Sequence, residues 1–242
     1  MGTEASGHTD SVSRPWARPA MIWLSLLVVL APLLVVTILA RVTRLDALAF
    51  LGIPISFLLA WWMLRLRGER WAGVELRPAP SWRRLLLVVG VAVPVLLVGT
   101  AILASALAAA TGLAPDLSRF DMLRGDPAVL AVGLVVVWTS AAFGEELVFR
   151  GFVMHTLHRL LHGGVHWHWV WAVLLTSGLF GLAHAYQGAA GAILTGVIGL
   201  GYALAYFACR RSLWAAILAH GLYDTIGLLI VFLNLDRPSA AA

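Results

Sequence analysis

AMIWLSLLVVLAPLLVVTILA, residues 20–40, runs for 21 residues without a charged side chain. At 1.5 Å of rise per residue, a helix of that length covers about 30 Å, the hydrocarbon thickness of a bilayer. Lipid offers no hydrogen bonds, so a chain crossing it must satisfy its own backbone, and helix is the expected form. Working outward, further apolar stretches fall near 46–64, 85–110, 128–149, 168–187, 189–208 and 213–233. The fold class expected is therefore all-α: a polytopic transmembrane helical bundle of about seven spans. The amphipathic segment 147–161, with Arg150, His155, His158 and Arg159, either extends the fourth helix or adds an eighth as an interfacial half-helix. The first run follows Arg14 and Arg18 and lacks a short apolar core ending in a small-residue cleavage site, so it is expected to be retained rather than removed as a signal peptide.

Composition agrees. Of the 242 residues, 61% are hydrophobic and 12% charged, with a mean hydropathy of +0.89. A water-soluble globule carries about 25% charged residues, and this chain in water would expose large apolar patches. The net charge of +5 comes entirely from arginine, because the sequence has no lysine. Those arginines sit in the gaps between apolar runs, which speaks for membrane topology and against nucleic-acid binding. Cys209 is the one cysteine, so the chain has no internal disulfide framework.

The gap 65–84 carries Arg65, Arg67, Arg70, Arg77, Arg83 and Arg84 against Glu69 and Glu75, and is expected to be cytoplasmic. The N-terminus then lies inside, the loop 111–127 outside, Arg159, Arg210 and Arg211 inside, and the C-terminus outside. Arg41 and Arg44 dissent. Three regions are expected: a mobile tail over 1–19, N-terminal transmembrane helices over 20–110, and a polar-bearing membrane domain over 125–235. Gly191, Gly196, Gly199 and Gly201 read as close helix packing in the sixth span.

Ionisable side chains inside apolar runs are costly and face a protein interior or a wet cavity. Three clusters stand out. In Glu145-Glu146-Leu147-Val148-Phe149-Arg150, Glu146 and Arg150 share a helical face and can pair. Glu145, about 100° away, gains little from that arginine and has the character of a general base. In Phe180-Gly181-Leu182-Ala183-His184 a histidine closes the fifth span. In His220-Gly221-Leu222-Tyr223-Asp224 a histidine and an aspartate lie one helical turn apart. Alone, each cluster reads equally as an interfacial charge group or a packing pair. Together they can activate water and stabilise an oxyanion, or bind a metal through Glu145, His184 and His220. Depth is the obstacle: His184 and His220 meet only if the fifth helix runs on towards Gly188 and the sixth is tilted. His155, His158 and His162 share a helical face, with His166 and His168 close by. Trp167, Trp169 and Trp171 mark an aromatic belt there, so a wet interface is preferred to a metal site.

The three clusters resemble the signature of the CAAX protease and bacteriocin-processing family. Two glutamates followed after three residues by arginine match Glu145, Glu146 and Arg150. Phenylalanine, three residues and histidine match Phe180 and His184, and histidine, three residues and aspartate match His220 and Asp224. The similarity covers residues 125–235. It implies an intramembrane endopeptidase whose Glu145 and His184 activate water, whose His220 and Asp224 stabilise the oxyanion, and whose Glu146 and Arg150 support the geometry, with Phe180 beside them. Members are commonly named metalloproteases, which would place a divalent metal such as zinc on Glu145, His184 and His220; a metal-free glutamate route has also been argued. The implied partners are the lipid bilayer and a membrane protein or peptide substrate, and the implied location is the cell membrane, multi-pass. An arginine-rich, lysine-free chain fits a bacterium of high genomic GC content, where a prenylated substrate is not expected. Two other readings remain open: a non-enzymatic membrane scaffold or bacteriocin-immunity factor on the same fold, and a proton-coupled transporter using Glu145, His184 and Asp224 as a relay.

Overall fold

The structure, a computed structural model, describes residues 19–79, 81–162 and 167–236. The tail expected over 1–19 therefore lies, up to residue 18, outside the described residues, as does His166. Among the described residues, seven apolar helices stand at the seven expected positions: α1 (Pro19–Thr43), α2 (Gly52–Leu66), α3 (Trp82–Thr111), α4 (Pro127–Leu161), α5 (His168–Ala183), α6 (Gly188–Ala208) and α7 (Leu213–Phe232). Among the described residues there is no strand. α1, α3, α4, α6 and α7 are long and apolar enough to cross a membrane, while α2 and α5 have 15 and 16 residues. The segment 147–161 continues the fourth helix rather than forming an eighth.

Local chemistry sets the helix ends. Ser81 caps α3, and Gly112, at φ 72°, turns the chain out of it. The Asp126 carboxylate accepts from the amides of Ala128 and Val129 at 2.9 and 3.1 Å, with Pro127 at the first helical position of α4.

The burial pattern inverts that of a water-soluble bundle. Leu27, Leu34, Leu87 and Ile102 are about two-thirds exposed, while Glu146 and Arg150 are completely buried. Apolar residues outside and charge inside are what a lipid solvent selects. The chain is a helical membrane bundle.

The connections sort into two ends. At one, Arg159 pairs with Glu69 at 2.5 Å, Arg211 with Glu75 at 3.4 Å, and Arg84 donates to the Ala208 carbonyl at 2.7 Å. At the other, the Asp116 amide donates to the Gln187 carbonyl at 2.9 Å, Gly125 to that of Phe232 at 3.2 Å, and Arg124 pairs with Asp236 at 2.6 Å. From the α2–α3 connection onward, successive loops thus alternate between the two ends. The Asp116 carboxylate is held below its usual range by the hydroxyl and amide of Ser118.

α4 is unusual. It is α-helical over Pro127–Val136, widens to π-helix over Val137–Glu145 and again over Leu147–Val153, then returns to α-helix over Met154–Leu161. Widened turns of this kind concentrate at functional sites. α5 differs from expectation at its far end. It stops at Ala183, and a 3₁₀ turn, Ala185–Gln187, leads into α6 at Gly188. α5 and α6 touch backbone to backbone: a Cβ on Gly181 would lie 2.4 Å from the Ala192 carbonyl oxygen and 3.1 Å from Gly196. Gly196 and Gly199 serve the close packing expected of the sixth span, and Gly201 sits against Leu96 of α3.

Candidate active site

Phe180 is the centre of the polar interior. Its ring lies 5.1 Å from that of Phe149, 4.8 Å from that of His184 and 6.0 Å from that of His220, with the Arg150 guanidinium 4.4 Å from its centroid. Residues from α4, α5 and α7 thus meet around one aromatic side chain, and α6 adds Tyr202, whose ring is stacked on His220 at 4.5 Å.

The expected pair of Glu146 and Arg150 forms, with Arg150 Nη1 2.9 Å from Glu146 Oε1. The guanidinium is completed by Nη2 donating to the Gly199 carbonyl at 2.8 Å. Only glycine suits position 199, since a Cβ there would stand 2.8 Å from Arg150 Nη2 and 3.0 Å from Phe180. Glu146 Oε1 also accepts from His220 Nδ1 at 2.9 Å. One carboxylate oxygen therefore joins α4 to α7, and Arg150 joins both to α6. Gly221 helps α7 come this close, because the Trp138 indole occupies the space its Cβ would need.

With Nδ1 donating to Glu146, His220 turns Nε2 toward Asp224 Oδ2 at 3.3 Å. A proton on either group can serve that contact. His184 closes α5; its Nδ1 donates to the Phe180 carbonyl at 2.8 Å, which fixes the tautomer and leaves Nε2 without a proton when the ring is neutral. The depth problem is solved differently from the expectation. α5 does not run on to Gly188; it ends early, and His184 sits on the turn, tied back to its own helix.

Glu145 is the unpaired member. It is in electrostatic range of His184, His220, Asp224 and Glu146, with no arginine among them. Its Oε2 is buried and has no hydrogen-bond partner, as are Glu146 Oε2 and the Tyr202 hydroxyl. Three orphaned polar groups in one interior are uncommon and ask for a functional reason.

The set Glu145, His184 and His220 does not fit a three-ligand metal centre in this arrangement. Both ring nitrogens of His220 already face carboxylates at 2.9 and 3.3 Å, so only Glu145 and His184 keep free donor atoms. Tyr202 and Trp138 had no signal in the sequence, and Gly199 read there as close helix packing only, since an aromatic or glycine in an apolar run reads as packing.

Residues 127–226 match the family model described as type II CAAX prenyl endopeptidase Rce1-like. No curated protein and no solved structure matches the chain. The matched segment contains all three clusters, and the match is consistent with the CAAX protease and bacteriocin-processing family, whose models describe protease-like membrane enzymes.

Proposed function

We propose that the chain is an intramembrane endopeptidase that hydrolyses peptide bonds of membrane proteins or peptides with water activated by Glu145 and His184. The observation that carries this reading is Glu145 itself: a carboxylate with a buried, unpartnered oxygen, facing two imidazoles and no arginine. A group held for packing alone would be expected to be paired, as Glu146 is.

In this reading a water is polarised between the Glu145 carboxylate and His184 Nε2. Glu145 takes its proton as the oxygen attacks the scissile carbonyl carbon. The resulting oxyanion accepts a hydrogen bond from the proton shared by His220 Nε2 and Asp224. Glu145 then delivers its proton to the departing amide nitrogen, which restores the carboxylate. Glu146 and Arg150 are positioning residues, with Glu146 fixing His220 Nδ1 and Arg150 fixing Glu146. All steps run on the chain's own residues.

A crevice of about 240 Å³ lies between α2 and α4, lined by Ile53, Phe57, Phe143 and Gly144 among others, and reaches the residue before Glu145 in sequence. Its apolar wall suits a membrane-borne segment entering sideways. The arginine-rich end faces the cytoplasm, and the substrate is an unprenylated membrane protein or peptide.

Cleavage of a membrane-peptide library by purified protein in proteoliposomes tests the assignment. Glu145→Gln should fold with unchanged thermal stability and lose about 10²–10⁴-fold in turnover. Equal turnover by wild type and Glu145→Gln would sink it.

A further inference from the structure

At the arginine-rich end, far along α4 from Glu145, three imidazoles come together. His158 and His162 are one turn apart at the end of α4, and His168 opens α5. One ring nitrogen from each lies within 4.8 Å of the others. The rings of His158 and His168 are 4.6 Å apart, and those of His162 and His168 4.7 Å. The preference for a plain wet interface grouped these histidines by helical face with His155. The fold regroups them: the Nε2 of His155 is bonded to the Tyr206 hydroxyl at 2.9 Å, and His168 takes its place.

We infer that His158, His162 and His168 form a late-transition-metal site, with Zn²⁺ the natural occupant, which clips the α4–α5 hairpin together. Three neutral imidazoles without a carboxylate are the donor set suited to zinc, nickel or copper rather than to calcium or magnesium. Tetrahedral zinc holds its nitrogens at about 2.0–2.1 Å, so ligand atoms within 4.8 Å close onto it by side-chain rotation alone. His162 is exposed, and both it and His168 sit at helix ends, where such rotation is free. His158 is the anchor. Its ring is stacked on Trp169 at 3.7 Å, and its Nδ1 is buried without a hydrogen-bond partner. A buried polar atom with no partner is the second sign of a ligand here. A fourth position would be left to water, as in sites with three protein ligands.

Cationic neighbours oppose the metal, and the fold offsets them. Arg159 and Arg211 act on His158, but Arg159 is paired with Glu69 at 2.5 Å and Arg211 with Glu75 at 3.4 Å. α5 also carries Phe180 and His184 at its other end. A clip on its first residue therefore fixes the helix that carries Phe180 and ends at His184. It also means that zinc found in the purified protein, or loss of activity on chelation, does not by itself assign a metal to Glu145 and His184.

The test uses full-length protein carrying a histidine-free tag, stripped with a chelator and titrated with Zn²⁺ against a competing dye, then with Co²⁺ for the visible spectrum of a tetrahedral site. Wild type and Glu145→Gln/His184→Ala should each bind one ion with matching affinity, and Zn²⁺ should raise their melting temperature. His162→Ala/His168→Ala should bind roughly tenfold or more weakly and lose the zinc-dependent rise. If that double variant folds poorly, the exposed His162→Gln decides by the same dye competition. Affinity unchanged by these substitutions, or lost on removing Glu145 and His184 instead, overturns the clip. Neither result bears on the proteolytic reading, which is judged by cleavage.

Discussion

His220 Nδ1 stands 2.9 Å from Glu146 Oε1, across the junction of α7 and α4. The two residues are 74 positions apart, and the same oxygen holds Arg150. His220 therefore owes its orientation to a residue distant in sequence and one hydrogen bond away in space. Glu146→Gln keeps the size but weakens both bonds. Turnover should fall by about 10–100-fold with little change in KM, by analogy with residues that orient a working histidine. A raised KM with unchanged kcat would place Glu146 in substrate binding instead.

Arg150→Ala should be the most damaging single change in the interior. It leaves the Glu146 carboxylate buried without its cation and the Gly199 carbonyl without its donor. Breaking a buried pair in this way costs about 3–5 kcal/mol. Arg150→Lys should recover only part of it, because one ammonium cannot reproduce the planar fork over Phe180. Denaturation in detergent, followed by intrinsic fluorescence, ranks the three proteins. Full recovery by lysine would show that charge alone matters.

Two glycine substitutions give opposite outcomes. Gly199→Ala drives a methyl against the Arg150 guanidinium and Phe180, and should destabilise by about 1–3 kcal/mol while impairing cleavage. Gly178→Ala meets nothing within 4 Å and should be neutral or stabilising by up to about 1 kcal/mol through helix propensity. Paired melting curves check both. The contrast, not either value, is the diagnostic.

Tyr202 offers a cleaner separation of ring from hydroxyl. Its hydroxyl is buried without a partner, while its ring is stacked on His220. Tyr202→Phe should keep cleavage and gain up to about 1 kcal/mol by removing an unsatisfied group. Tyr202→Leu should lose both stability and turnover, since the stack is gone. A large loss of turnover in the phenylalanine variant would instead make the hydroxyl a participant in the chemistry.

Much of this interior was legible in the sequence because its short-range geometry is helical. Glu146 with Arg150, and His220 with Asp224, are each four residues apart and meet as that spacing requires. The seven apolar runs were legible for the same reason: lipid imposes their length. What escaped was set by contacts between helices. Nothing in the string around Ala183 says that α5 ends there rather than at Gly188, because the turn is stabilised by His184 reaching back to Phe180. The Gly199 carbonyl was invisible as a partner, since helical carbonyls are normally spent within their own helix. The grouping of His158 with His168 depends on how α4 and α5 fold back on each other, which helical periodicity cannot supply.

The two widened stretches of α4 bear on how the protein tolerates change in length. Each π turn takes up residues that an ordinary helix of the same height would not hold. Glu145 and Glu146 lie at the seam between the stretches, so their direction depends on the number of residues on either side. Removing one residue from 147–153 changes the count between the glutamates and Met154–Leu161, about 100° of helical rotation, and removing one from 137–144 does the same relative to Pro127–Val136. A change that alters no charge and removes no contact residue could thus aim Glu145 at lipid. In this helix the count of residues is as much a part of the chemistry as their identity.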